Sequence, residues 1–340
     1  MYRQFFTEKI ATFANHFHEN RVIMLNRRFL RVKALQEIYA YHQSNSGNLP
    51  QAERHLLDEV DDLYKLFVYQ LSFWVEVKHF AERRIEENKN KHFPTEEDLN
   101  PNLKFVNNRI LNALDDNKHL LSLEEKYKIN WADSREDFIR NLFQKLTETS
   151  EYQEYMNNGK NSFADDKQFL ATVIDNYMAE NGLLYDYYSD RDLSFNSDYP
   201  IAIYLLYKFI NEMPESFGAT TKLPPAYKSE DDDKEFVIKL FEKTILHANE
   251  YMELVKANLS NWDYDRMALM DKILIFMAIT EFCEFHSIPV KVTINEYIEI
   301  SKLYSTPDSR RFVNGMLDRL STVLKEEGKL KKTGLGLIEK

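Results

Sequence analysis

The chain has 340 residues, 44% of them hydrophobic, enough for one large or two modest domains with a sizeable core. Its 8 Gly and 9 Pro are too few for the turns of a many-stranded sheet protein, so helix throughout is expected. A net charge of -11 excludes a uniformly basic nucleic-acid-coating protein but allows a local cationic patch, and the single Cys283 excludes a disulfide framework or a cysteine metal cluster within one chain. That cysteine count fits a reducing cytosol. No apolar run approaches the roughly 20 residues that span a bilayer, so a cytoplasmic protein without a membrane partner is expected.

Residues 1–23 place Phe5, Phe6, Ile10, Phe13 and Phe17 at helical spacing and are read as a leader or N-terminal extension, with Met24 a candidate start. From there Arg27, Arg28, Arg31 and Lys33 precede the first acidic residue, Glu37. At 100° per residue the three arginines fall within one arc of about 100°, so their guanidinium groups are expected to project from one side of the first turns. A solvated face and a phosphate-binding face both fit that pattern, although the macrodipole disfavours cations crowded at a helix start. Ala34, Leu35, Ile38, Tyr39 and Tyr41 leave little polar surface further along, which predicts a helix buried between neighbours.

After a polar turn at Asn45 to Leu49, a long helix is expected to about Asn90. Leu56, Val60, Leu63, Phe67, Leu71, Trp74, Val77 and Ala81 form its apolar stripe. Phe93 to Pro101 reads as loop. Helices are expected around Leu103 to Leu114, Arg135 to Met156, Asp165 to Asn181 and Tyr199 to Met213. Ser134 with Asp137 and Ser162 with Asp165 fit capping boxes, Gly182 fits a C-terminal stop, and Asp186 to Asp198 reads as loop. Pro224-Pro225 and the acidic run Glu230 to Asp233 mark a linker.

Beyond it, Phe236, Leu240 and Leu246 open a further bundle, continued by Tyr251 to Leu259 and broken at Asn261-Trp262. Met267 to Phe285 contains Ile273 to Ile279, apolar on all sides, as only a bundle's central helix can be. Thr293 with Glu296 fits a capping box, so a helix is expected from about Ile294. Thr306-Pro307 reads as an N-cap with proline at the first helical position. Phe312, Val313, Met316, Leu317, Leu320 and Leu324 then give an apolar stripe, which puts Asn314-Gly315 in a helix interior instead of a hairpin. Glycine there costs about 1 kcal/mol against alanine, suggesting a close approach of backbone or ligand, or a helix-crossing contact. The lysine-rich tail from Gly328 is expected to be disordered.

The blocks Ile288-Pro289-Val290-Lys291-Val292, Ile294-Asn295-Glu296, Ser301-Lys302, Asp308-Ser309 and Phe312 to Asp318 together resemble the C-terminal signature of the NusB transcription antitermination family. The segment from Met24 to Ser44 resembles that family's arginine-rich first helix. The resemblance implies an all-α fold: a NusB-like pair of helical bundles with a large extra helical region. Residues 24–45 would be the first core helix, 46–228 a helical insertion or expanded N-terminal half, 229–326 the C-terminal bundle and 327–340 a flexible tail. It also implies a non-enzymatic factor that binds boxA-like single-stranded RNA with the small-subunit ribosomal protein known as NusE. Such a factor works within the RNA polymerase antitermination complex and supports transcription of ribosomal RNA operons.

On that reading Arg27, Arg28 and Arg31 hold phosphates, Lys272 adds a cation, and Asp308, Ser309, Arg310, Arg311 and Phe312 border the RNA beside the first helix. Tyr39 and Phe312 are candidate stacking rings, with core packing the alternative for each. Helix faces near Tyr39 and Asp271 would be shared with the protein partner. Phe276 stands where the compact relatives lead one to expect arginine.

Catalytic signatures are missing: no P-loop, no His-Glu-x-x-His and no Gly-x-Ser-x-Gly occurs. His16 and His18, two apart, point to different helix faces, and the pairs Glu124-Glu125 and Asp165-Asp166 read as surface groups. No catalytic residue, metal site or cofactor is expected. The alternatives are an RNA-binding domain like the N-terminal part of RNA cytosine methyltransferases, which would require a nucleotide-binding domain downstream, and a helical protein-interaction scaffold.

Overall fold

The computed structural model describes residues 26–44, 47–132, 135–179, 181–259 and 263–337, and every regular element among them is helical. In chain order these are α1 (Arg27–Ser44), α2 (Leu49–Lys89), α3 (Glu96–Leu99), α4 (Arg109–Asp115), α5 (Lys118–Tyr127), α6 (Arg140–Thr147), α7 (Ser150–Asn157) and α8 (Phe163–Val173). They continue with α9 (Gly182–Ser189), α10 (Ser194–Glu212), α11 (Glu230–Leu246), α12 (Ala248–Asn258), α13 (Leu269–Glu284), α14 (Val290–Tyr304) and α15 (Pro307–Glu326). The chain is thus all-α. The leader, Met24, His16, His18, Ser134 and Asn261-Trp262 lie outside the described residues.

Two compact units divide the described residues: Asp62–Pro225 forms one, and residues 26–61 together with those from Ala226 onward form the other. In the first, the stripe read from the sequence is the core: Leu63, Phe67, Leu71, Trp74, Val77 and Ala81 on α2 are all buried. The Trp74 indole donates to Met178 Sδ at 3.1 Å, and the Tyr155 and Phe169 rings stack at 4.0 Å.

Several local expectations are corrected in this unit. The span expected as one helix from Arg135 is a π turn (Arg135–Ile139), α6 and α7. The Thr149 hydroxyl starts α7 by accepting from Tyr152 N–H, so the chain caps and restarts there. Gly182 opens α9 instead of stopping a helix, because the Asn181 side chain caps it by accepting from Leu183 and Leu184 N–H. Asp166 is no surface group. It is buried, and its carboxylate accepts from Arg109 N–H, from the Arg109 guanidinium at 2.8 Å and from the Tyr155 hydroxyl, tying α4, α7 and α8 together.

In the second unit α13 is the central rod, packed against α1, α11, α12, α14 and α15. Ile273, Leu274, Ile275, Met277, Ala278 and Ile279 are buried, as a helix apolar on all sides requires. The acidic run read as linker is instead the first turn of α11. Its carboxylates complement the helix N-terminus, and Asp233 accepts from Lys228 and Ser229 N–H. Residues 49–61, assigned to the insertion by sequence, belong to this unit: His55 Nδ1 lies 2.6 Å from Glu37 Oε2, and Lys33 Nζ is 3.0 Å from Glu59. The tail also begins ordered. Lys332 Nζ donates to the Glu281 and Phe285 carbonyls at the end of α13, and Thr333 N–H donates to His286 O.

Candidate nucleic-acid interface

α1 starts where Asn26 Oδ1 accepts from Arg28 and Phe29 N–H, which fixes the direction of each arginine that follows. Arg27 is turned toward α11, with 44% of its side chain exposed, its Nε 3.8 Å from Asp233 and its guanidinium over the Phe236 ring at 4.9 Å. Arg28 meets Glu296 through two hydrogen bonds, at 2.8 and 2.5 Å. Arg31 is buried: its Nε and Nη2 donate to the two oxygens of Glu281 at 2.7 and 2.8 Å, and its Nη1 reaches Glu296 at 3.3 Å. The expectation that three guanidinium groups project together is therefore corrected. Of the three only Arg27 is exposed, because the carboxylates of α13 and α14 turn Arg28 and Arg31 inward.

The same network overturns the capping box read at Thr293 and Glu296. α14 starts earlier, at Val290 with Pro289 as its N-cap, so Thr293 sits inside the helix and donates its hydroxyl to Glu281 Oε1 at 2.8 Å. Glu296, freed from capping, pairs with the arginines. Burial works against its charged form, yet the Arg28 hydrogen bond and the charges of Arg31 and Arg28 hold the carboxyl below the usual range. Farther along, Gln36 Nε2 donates to the Tyr304 hydroxyl at 3.1 Å. Arg28 to Gln36 and Glu296 to Tyr304 advance equally, so α1 and α14 run side by side in parallel.

The remaining site residues gather at the start of α15. Thr306 Oγ1 accepts from Ser309 N–H, which is the cap read from the sequence. Ser305 Oγ donates to the buried Asp271 carboxylate, joining the α14–α15 turn to the first turn of α13 and so bringing it close to Lys272. Lys272 Nζ lies 4.4 Å from the centre of the Tyr264 ring. Arg311 is exposed beside Asp308 at 3.8 Å, whereas Arg310 Nε is buried without a hydrogen-bond partner among the described residues. α14 packs against both α1 and α15, and Arg27 faces α11.

Sequence reasoning missed a cleft of about 750 Å³ beside this surface, lined by Ile38, Tyr41, Met252, Tyr264, Lys272 and Phe276 among others. The signal available was Phe276, a large apolar side chain that is only half-buried and stands where the resemblance leads one to expect arginine. Tyr39, 38% exposed, lies on α1 next to two residues of the cleft wall, Ile38 and Tyr41.

Residues 201–322 match the NusB family. The chain is 36% identical over 116 residues to the transcription antitermination protein NusB of Thermodesulfovibrio yellowstonii, covering 34% of this chain and 74% of that protein. This chain belongs to the NusB family. It is also 42% identical over 105 residues to the NusB of Salinibacter ruber and 40% over 106 residues to that of Chloroherpeton thalassium. These two matches take in 31% of this chain each, and 66% and 50% of the relatives' own lengths. No solved structure matches the chain. The family match begins within α10, inside the span assigned to the insertion by sequence. No described helix is long and apolar enough to cross a membrane.

Proposed function

We propose that the protein is a non-enzymatic, cytoplasmic RNA-binding factor for transcription antitermination. It binds boxA-like single-stranded RNA together with the ribosomal protein NusE of the small subunit and acts in the antitermination complex on ribosomal RNA operons. The match to proteins named for transcription antitermination carries this reading. Residues 62–200, which lie before the family match, are then an addition to the NusB-like core.

Within the reading, the start of α15 is the RNA border. A helix N-terminus favours phosphate, Lys272 and Arg311 add cations, and Arg310 Nε supplies a donor for an incoming acceptor. Phe312 is the stacking candidate there, and Asp308 and Ser309 shape the turn. Arg27 is the phosphate contact of α1, while Arg28 and Arg31 act through Glu296 and Glu281 by fixing α1 against α13 and α14. The protein partner uses the face around Tyr39 and Asp271 and the adjoining apolar cleft. Fluorescence anisotropy with a labelled boxA oligomer tests this: binding by the unmodified chain and at least tenfold weaker binding by a Lys272→Ala, Arg310→Ala, Arg311→Ala variant are expected. Equal affinities would remove the site, and no binding in the presence of NusE would remove the function.

A further inference from the structure

The unit Asp62–Pro225 carries a surface that the RNA reading does not use. Near the end of α2 a cavity of about 210 Å³ opens between α2, α6 and α7. Phe105, Phe143 and Tyr152 are buried around it, with ring centroids 5.5 to 6.3 Å apart, and Arg84, Asn88 and Asn102 also line it. A cavity of about 150 Å³ in another protein is enough to hold benzene, so one phenyl ring fits here. Arg84 is exposed and forms no ion pair or hydrogen bond among the described residues.

The loop between Asn88 and Asn102 leaves the cavity wall and returns to it. It is held in shape by a reciprocal cap, Thr95 N–H donating to Asp98 and Asp98 N–H to Thr95 Oγ1, and by Lys91 Nζ at 3.2 Å from Asp98. So braced, it presents Phe93 with 93% of its surface to solvent, together with Leu99 at 53%, and Leu103 just beyond it is exposed too. Single exposed apolar residues are ordinary, but three around one short loop beside an aromatic cavity make a patch. The same loop carries Glu96 and Glu97, exposed and without ion-pair partners among the described residues.

A protruding ring and a cavity for a ring, side by side, are what a twofold contact requires, since each copy must offer both halves of the same interaction. The charges agree: unpaired carboxylates accompany the knob and an unpaired guanidinium borders the hole. We propose that this face joins two copies of the chain, Phe93 of each seated in the cavity of the other with Glu96 and Glu97 against the facing Arg84. The inference is independent of the RNA reading, because none of these residues belongs to the unit that holds the α15 site.

Sedimentation velocity on the full chain over a range of concentrations tests it. The expected result is a species of twice the 40.5 kDa chain mass. Phe93→Asp, at a position too exposed to support the fold, should weaken association roughly tenfold or more. Arg84→Glu should also weaken it, and adding Glu96→Lys and Glu97→Lys to that variant should restore it. A one-chain mass at every concentration would overturn the proposal and leave the cavity to some other occupant. A dimer untouched by Phe93→Asp would overturn it as well, by locating the contact elsewhere.

Discussion

Arg31 and Glu281 form a buried, two-pronged ion pair, with Nε and Nη2 at 2.7 and 2.8 Å from the two carboxylate oxygens. Thr293 and Tyr297 donate to the same carboxylate, at 2.8 and 3.4 Å, so four donors from α1 and α14 converge on one residue of α13. Two charges in such a place are expensive unless both remain and their hydrogen bonds are complete.

Removing one partner should therefore destabilise strongly. Glu281→Ala or Arg31→Ala is expected to cost about 3–5 kcal/mol, because each leaves the other charge buried and uncompensated. Replacing both, Arg31→Met with Glu281→Leu, should cost far less than the two single changes added together. Urea titrations of the four proteins check this. A loss of RNA binding in Arg31→Ala would then reflect a displaced α1, so it must be judged against folding. Additive losses would show that the pair is not coupled.

This pair marks where the sequence stopped being informative. The stripes of α2 and α15 and the all-apolar run in α13 were legible because burial imposes a helical period on the chain. Thr306-Pro307 was legible because a cap is local. Arg31 was not, since its direction depends on carboxylates about 250 positions away, and a cluster of arginines in sequence looks the same whether it faces phosphate or glutamate. Thr293 with Glu296 failed for a related reason: the spacing suited a cap, but tertiary partners claimed both side chains. The cleft beside Lys272 was invisible because it is made from three separated segments.

Glu296 predicts a pH dependence. Its folded-state pKa is depressed below the ordinary glutamate value of about 4.3. The unfolded chain therefore takes up its proton first as pH falls, and the stabilisation is complete above that value and lost as pH drops through the lower folded one. Unfolding midpoints in urea should separate the unmodified chain from Glu296→Gln near neutral pH. That separation should narrow in the acid range; a gap constant down to pH 3 would show that ionisation of Glu296 is not its source.

Gly315 offers a gain. A methyl group built there meets nothing within 4 Å, so among the described residues neither a close backbone approach nor a helix crossing explains the glycine in α15. Its φ is not in the left-handed region, and the position is exposed. Gly315→Ala should raise stability by up to about 1 kcal/mol, read as a higher urea midpoint. An unchanged or lower midpoint would mean that the helix needs glycine for a reason its packing does not reveal.

Salt dependence separates the proposed phosphate contacts from those residues that only position α1. If Arg27, Lys272, Arg310 and Arg311 each neutralise one phosphate of a single strand, log affinity should fall against log salt with a slope near -3, about 0.7 per contact. Removing one, as in Lys272→Ala or Arg311→Ala, should lower the slope by about 0.7 and weaken binding across RNA sequences alike. Glu296→Gln should act in the opposite sense, since it removes the negative charge that Arg28 meets at 2.5 and 2.8 Å. Anisotropy titrations from low to moderate salt measure all of these. A slope near zero, or one unmoved by loss of any of the four cations, would show that the strand is held by contacts other than charge.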